Sequence, residues 1–178
     1  MVTPLNIDAI WLRNYLLAKH KGLSEPAARL KASESVGIKG KAFARCHIST
    51  GTLTVPVDGG GNSLKRRNAN PILSEHGKWR REHLGAWQAA YGRTPYFIHL
   101  LPEIEEVYNN SSGLTLEQFN SALLEVALSW LDFEAVNNRD NRLRETGREL
   151  EPEITAGLSV FDLIFRHGKM AVFPLYPW

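Results

Sequence analysis

Two hydrophobic periods divide this sequence, and together they limit the fold more than any other feature. Trp79, His83, Trp87 and Ala90 fall three or four residues apart, which places them along one face of a helix. Between Ala42 and Val57 the period drops to two, in short runs rich in β-formers. There Phe43, Arg45 and His47 share one face of a strand, and Ala44, Cys46 and Ile48 the other. A chain carrying both periods must pack helices on a sheet. The expected fold is α+β and helix-dominated, with a small, mainly antiparallel sheet.

Punctuation residues set the expected boundaries. Ile7, Ile10, Trp11, Tyr15, Leu16 and Leu17 predict a helix from Asn6 that stops at Gly22, and Ser24 with Pro26 opens a second through Lys31. Ser49, Thr50 and Gly51 read as a three-residue hairpin connection between Ala42–Ile48 and Thr52–Val57. Ala69 to Leu73 is a candidate third strand that Pro71 confines to an edge, and Gly59 to Ser63 reads as a mobile loop. Thr94 and Pro95 cap a helix through Tyr108, which Pro102 should bend or break. Thr115 and Gln118 form a capping box ahead of Leu116, Phe119, Leu123, Ala127 and Trp130. Asp132 to Val136 reads as a short strand and 137–153 as a polar surface excursion. Ser159 and Asp162 open a helix through Arg166 that Gly168 stops, and Ala171 to Leu175 reads as a last strand or extended tail.

A length of 178 residues predicts one domain, 1–178. With 43% hydrophobic and 22% charged residues the chain can bury a core, which excludes fibrous and low-complexity classes. The formal charge of +2 is too small to imply nucleic-acid or membrane-surface binding, although residues 1–68 hold 11 basic and 4 acidic side chains. Cys46 is the only cysteine, so neither an intramolecular disulfide nor a cysteine zinc cluster can form, and a reducing, cytoplasmic setting is expected. The first ten residues lack the basic lead and apolar run of a secretory signal, and no stretch approaches ~18 apolar residues. No metal site is expected, because His76 and His83 are seven residues apart, and no glycine-rich phosphate loop precedes a Lys-Ser/Thr helix.

The most informative candidate is His83. Trp79 and Trp87 flank it one turn away on either side, so burial would hold the imidazole neutral near pH 7, as a general base requires. The alternative is a core histidine with both nitrogens bonded by the protein. Arg45, Arg80 and Arg81 suit a phosphate or carboxylate, as in a nucleotide sugar, against the alternative of a solvated face. Tyr91, Tyr96 and Phe97 surround the turn at Gly92 and Pro95 as either a wall for a sugar ring or a core anchor. Cys46 reads as packing, and Lys65, Arg66 and Arg67 as a solvated loop.

Three motifs in order carry a family resemblance: Leu53-Thr54-Val55-Pro56-Val57, then Trp79 with His83, then Tyr91-Gly92-Arg93-Thr94-Pro95-Tyr96-Phe97. With the tail Leu158 to Asp162 and Gly168, they make the chain similar to the WbqC-like protein family, best over residues 41–131. The start departs from that pattern, since the family tends to open with a strand and an H-Q-P turn where Met1 to His20 reads as a helix. The resemblance implies a bacterial protein tied to surface-polysaccharide or O-antigen biosynthesis. It points to an enzyme transferring a small group to an activated sugar, with His83 as base, Arg45 on the anionic moiety, and Trp79, Arg80, Tyr91 and Tyr96 lining the substrate. The competing reading is a non-catalytic sugar- or nucleic-acid-binding module. Neither a cofactor nor an oligomeric state follows from the residues.

Overall fold

A computed structural model describes residues 8–37, 44–64, 70–131 and 159–175. Helix α1 spans Ala9–His20 and starts at Asp8, whose carboxylate accepts the Trp11 amide at 2.9 Å. Helix α2 spans Glu25–Ser35, four residues beyond the expected end, and the Ser24 hydroxyl makes no capping bond. Glu25 fastens the pair, accepting from Tyr15 at 2.7 Å and Arg29 at 2.8 Å with Lys19 at 3.5 Å. Arg29 also donates to Ser121 at 3.2 Å, which ties the helical hairpin to the main body.

Strands β1 (Arg45–Ile48) and β2 (Gly51–Thr54) pair antiparallel, Arg45 opposite Thr54 and Ile48 opposite Gly51. The connection is therefore two residues, Ser49 and Thr50, not three. Alternation holds, with Arg45 and His47 exposed and Cys46 and Ile48 buried. The expected third strand does not form. Pro71 has no N–H to give a ladder, and Ile72 and Leu73 make only isolated bridges, to Thr115 and Val57. After Gly59, in the left-handed conformation at φ 74°, the expected loop winds into a helical turn, α3 (Gly60–Ser63).

Helix α4 spans Trp79–Tyr91 and helix α5 spans Phe97–Asn109. Thr94 does not cap α5, because its hydroxyl donates back to the Tyr91 carbonyl at 2.7 Å and closes α4 instead. Pro102 sits inside α5 without ending it. The carbonyl its missing N–H would have met belongs to Ile98, a residue 71% exposed, so water can serve that carbonyl. Helix α6 (Leu116–Trp130) carries the expected capping box in full. Helix α7 spans Val160–His167, with the Ser159 hydroxyl accepting from Phe161, and runs through a 3₁₀ turn, Gly168–Ala171, into α8 (Val172–Leu175).

The expected C-terminal strand is thus helical. Ala171 to Leu175 are all buried, and among the described residues no strand pairs with them, so helical bonds within the segment serve their backbone groups. The expected strand at Asp132 to Val136, the excursion at 137–153, Phe43 and Lys65 to Arg67 lie outside the described residues.

Helix α5 packs against α4, α6 and α7, and α1 against α2 and α8. Where α4 meets α7, Trp87 stands edge-on to Phe161 and Phe165, and Phe165 also meets Tyr91 and Phe97, each with centroids 5.0 Å away. Such ring pairs contribute roughly 0.5–1.5 kcal/mol each beyond area burial. Among the described residues the Trp87 indole N–H meets no hydrogen-bond acceptor. Its near-perpendicular setting against two phenyl rings is the arrangement in which an N–H edge faces a π surface.

Candidate functional site

The buried stripe of α4 recurs every fourth residue, as Trp79, His83, Trp87 and Tyr91. Three of the four hold the hairpin and its extension through polar tips. The Trp79 indole donates to the Ser74 carbonyl at 2.9 Å, and the Ser74 amide donates to the Pro56 carbonyl at 3.0 Å. His83 Nε2 meets the Thr54 carbonyl at 3.2 Å, and the Ser49 amide donates to the Tyr91 hydroxyl at 3.1 Å. One helix face therefore fixes the hairpin at its turn, at the end of β2 and beyond Pro56.

His83 is 5% exposed, its ring edge-on to Trp79 and Tyr108 at 5.3 and 5.8 Å. A carbonyl can only accept, so Nε2 carries the proton, and Nδ1 then accepts from the Tyr108 hydroxyl at 3.2 Å. Burial lowers its pKa from 6.5 to about 4, opposed by the Thr54 hydrogen bond. The ring is neutral as expected. It is also closed off, with both nitrogens held by the protein, and a general base needs one of them open to a reacting proton. This is the geometry of the core-histidine alternative, in which the imidazole braces the Thr54 carbonyl that walls a cavity.

That wall belongs to a cavity of about 250 Å³ lined by Ala44, Arg45, Thr54, Val55, Pro56, Val57, Gly60, Gly61 and Leu64. Thr54 to Val57 are four residues of the Leu53–Val57 tract. The side chains of Ala44, Val55, Val57 and Leu64 are buried and apolar, and Arg45 is the charged residue among those that line it. No hydrogen bond or ion pair engages the Arg45 guanidinium among the described residues. A cation that no described residue engages, beside an apolar floor, suits an amphiphilic anion.

The remaining candidates do not converge on this cavity. Arg80 lies over the Trp79 ring at 4.6 Å and donates to Ser111 at 2.7 Å and Glu75 at 3.0 Å, while Glu75 accepts the Gly113 amide at 3.2 Å. It braces the 75–79 turn against the 111–113 loop. Arg81 is exposed. Trp79 is buried against Tyr108 and Phe119. Tyr91 is 1% exposed, its hydroxyl pushed far up in pKa by burial and by the nearby Asp162 charge. Tyr96 lies on Gly168, close enough that a Cβ there would fall 2.8 Å from its ring. Of the anticipated ligand residues Arg45 alone lines this cavity; Trp79 and Tyr91 are buried, Arg80 is engaged by Ser111 and Glu75, and Tyr96 is partly exposed. Sequence reasoning passed over Tyr108, Thr54 and Leu64; the Leu53–Val57 tract was the available signal for Thr54. Among the described residues no cluster of histidine, cysteine and acidic side chains could hold a metal ion, and no helix is long and apolar enough to cross a membrane.

A family model for WbqC-like proteins matches residues 38–156. The chain belongs to the WbqC-like family. The matched segment of this WbqC-like protein holds the hairpin, the cavity and α4 to α6; α1, α2, α7 and α8 flank it. The flanks meet each other, α1 packing on α8 and Asp8 bridging Ser159, whose amide donates to the His47 carbonyl at 3.2 Å. Comparisons with curated proteins and with solved structures returned no significant match.

Proposed function

We propose that this WbqC-like protein serves polysaccharide or O-antigen assembly in the bacterial cytoplasm by binding an anionic small molecule, such as part of an activated sugar, in the cavity beside Arg45. Family membership suggests the setting. The carrying observation is that Arg45, whose guanidinium no described residue engages, is among the residues lining a mostly apolar cavity. A single cysteine, buried Cys46, suits a reducing compartment. Group transfer with His83 as base has no support in this geometry, because both imidazole nitrogens are occupied, so the binding reading is the stronger one.

Thermal unfolding across a panel of nucleotide sugars and sugar phosphates tests this. A ligand at one hundred times its dissociation constant adds about 2.7 kcal/mol of stability, and Arg45→Gln should remove that gain. Absence of any gain across the panel, or a gain that survives Arg45→Gln, overturns the assignment.

A further inference from the structure

Large apolar side chains are exposed at five positions among the described residues, and three of them, Tyr96, Ile98 and Met170, fall on two segments that touch. The ring of Tyr96 lies on Gly168 and its amide donates to the Phe165 carbonyl at 3.1 Å, which joins the start of α5 to the turn after α7. Each segment turns these side chains outward for a local reason. Phe97, Leu100 and Ile104 take the buried side of α5 and leave Ile98, His99 and Pro102 exposed. In the 3₁₀ turn Gly168 and Ala171, three residues apart, share the buried side, so Lys169 and Met170 face water. Ile98 is 71% exposed, Met170 42% and Tyr96 39%. Single exposed apolar residues are ordinary, as at Leu30 and Ile72, whereas a group of them on adjoining segments marks a contact surface.

The charge of both segments has one sign. Residues 92–102 and 163–175 contain no aspartate or glutamate, and Arg93, Arg166 and Lys169 are exposed on them. Arg166 shares its charge with the buried Asp162 at 3.1 Å, but no ion pair engages Arg93 or Lys169 among the described residues. The next carboxylate along α5, Glu103, accepts from the Trp130 indole at 2.8 Å. Exposed aliphatic and aromatic side chains among cations suit a lipid surface: aliphatic groups enter the acyl boundary, tyrosine sits at headgroup level and cations meet anionic headgroups. A protein partner fits less well, because a standard interface takes about 20–30 residues a side and this group offers few apolar anchors. No described helix is long and apolar enough to cross a bilayer, so contact through this surface is peripheral.

We infer that the start of α5 and the turn after α7 form a peripheral docking surface for an anionic phospholipid bilayer, with Tyr96, Ile98 and Met170 inserted and Arg93 and Lys169 on the headgroups. This goes beyond ligand binding at Arg45 and does not depend on it.

Sedimentation of the full chain with vesicles of phosphatidylcholine alone, and of equal parts phosphatidylcholine and phosphatidylglycerol, tests it. The protein should partition onto the anionic vesicles and bind the neutral ones about twentyfold more weakly. Arg93→Gln with Lys169→Gln should weaken anionic binding by about the same factor, and Ile98→Ser with Met170→Ser by about tenfold or more. Leu30→Ser, outside both segments, should leave it unchanged. All these positions are exposed, so thermal unfolding of the variants should match the native protein. Equal binding to the two vesicles, a loss confined to the charge variant, or an equal loss with Leu30→Ser overturns the inference. No partition onto either vesicle also overturns it, and self-association abolished by Ile98→Ser with Met170→Ser would then give the face to a second copy of the chain. Stabilisation by a nucleotide sugar that persists in these variants leaves the Arg45 assignment standing in either case.

Discussion

His83 and Thr54 touch through one hydrogen bond of 3.2 Å, from imidazole Nε2–H to a carbonyl whose residue also walls the cavity. The consequence is a pH dependence of the fold. In the unfolded chain the imidazole titrates near its ordinary 6.5, but in the folded protein burial lowers it to about 4. Above pH ~6.5 it is neutral in both states and its contribution is complete. As pH falls toward 4 the unfolded chain takes up a proton that the folded one refuses, which draws off stability of the order of 3 kcal/mol. Urea unfolding from about pH 7 to pH 4, compared between the native protein and His83→Gln, isolates this component. Parallel profiles for the two proteins would refute it.

Substitution separates the roles of His83 and Arg45. His83→Ala opens a hole and leaves the Thr54 carbonyl short of its donor, so it should cost about 2–4 kcal/mol of stability. Arg45→Gln, at an exposed position of β1, should stay within about 0.5 kcal/mol of the native stability while losing the ligand. Chemical denaturation and ligand titration of both variants read this out. A stable His83→Ala protein would mean that the imidazole is not a brace.

The helices were legible wherever apolar period and caps agreed, as in α4, α6 and α7, since these signals are local. The capping box at Thr115 and the stop at Gly168 need only neighbours in sequence. What misled was chemistry that depends on distant partners. Thr94 resembles a cap, but its hydroxyl finds the Tyr91 carbonyl first; Ala171 to Leu175 has strand composition but, among the described residues, no strand beside it. The site divided along the same line. Periodicity put His83 among indoles, yet the identity of its two partners, Tyr108 and Thr54, 25 and 29 residues away in sequence, depends on how α5 and β2 settle against α4. Arg45 could be named as an anion ligand from residue type, whereas the cavity beside it exists only once Leu64 and the Gly60–Gly61 turn close over the Thr54–Val57 tract.

Tyr91 secures the hairpin turn, and removing its hydroxyl should loosen that turn selectively. Tyr91→Phe withdraws the acceptor of the Ser49 amide, while keeping the ring packed on Phe165. A loss of about 1–2 kcal/mol is expected, with amide exchange accelerated at Ser49 more than along α5. Hydrogen exchange followed by NMR gives the comparison, and uniform acceleration across the protein would argue against a local clamp.

Gly168 combines two constraints that a double substitution can pull apart. Its backbone sits at φ 56° and ψ −134°, a region side chains other than hydrogen rarely adopt, and a Cβ there would meet the Tyr96 ring at 2.8 Å. Gly168→Ala should therefore cost backbone strain of about 1–3 kcal/mol plus the displacement of the ring. Tyr96 is 39% exposed, so the ring has room to turn outward, and the backbone component should dominate. Adding Tyr96→Ala to Gly168→Ala should then recover only a minor part of the loss, with a coupling of about 0.5–1 kcal/mol in the double-mutant cycle. Full recovery in the double variant, measured by urea unfolding, would instead assign the whole effect to the clash and show that the turn after α7 tolerates a side chain.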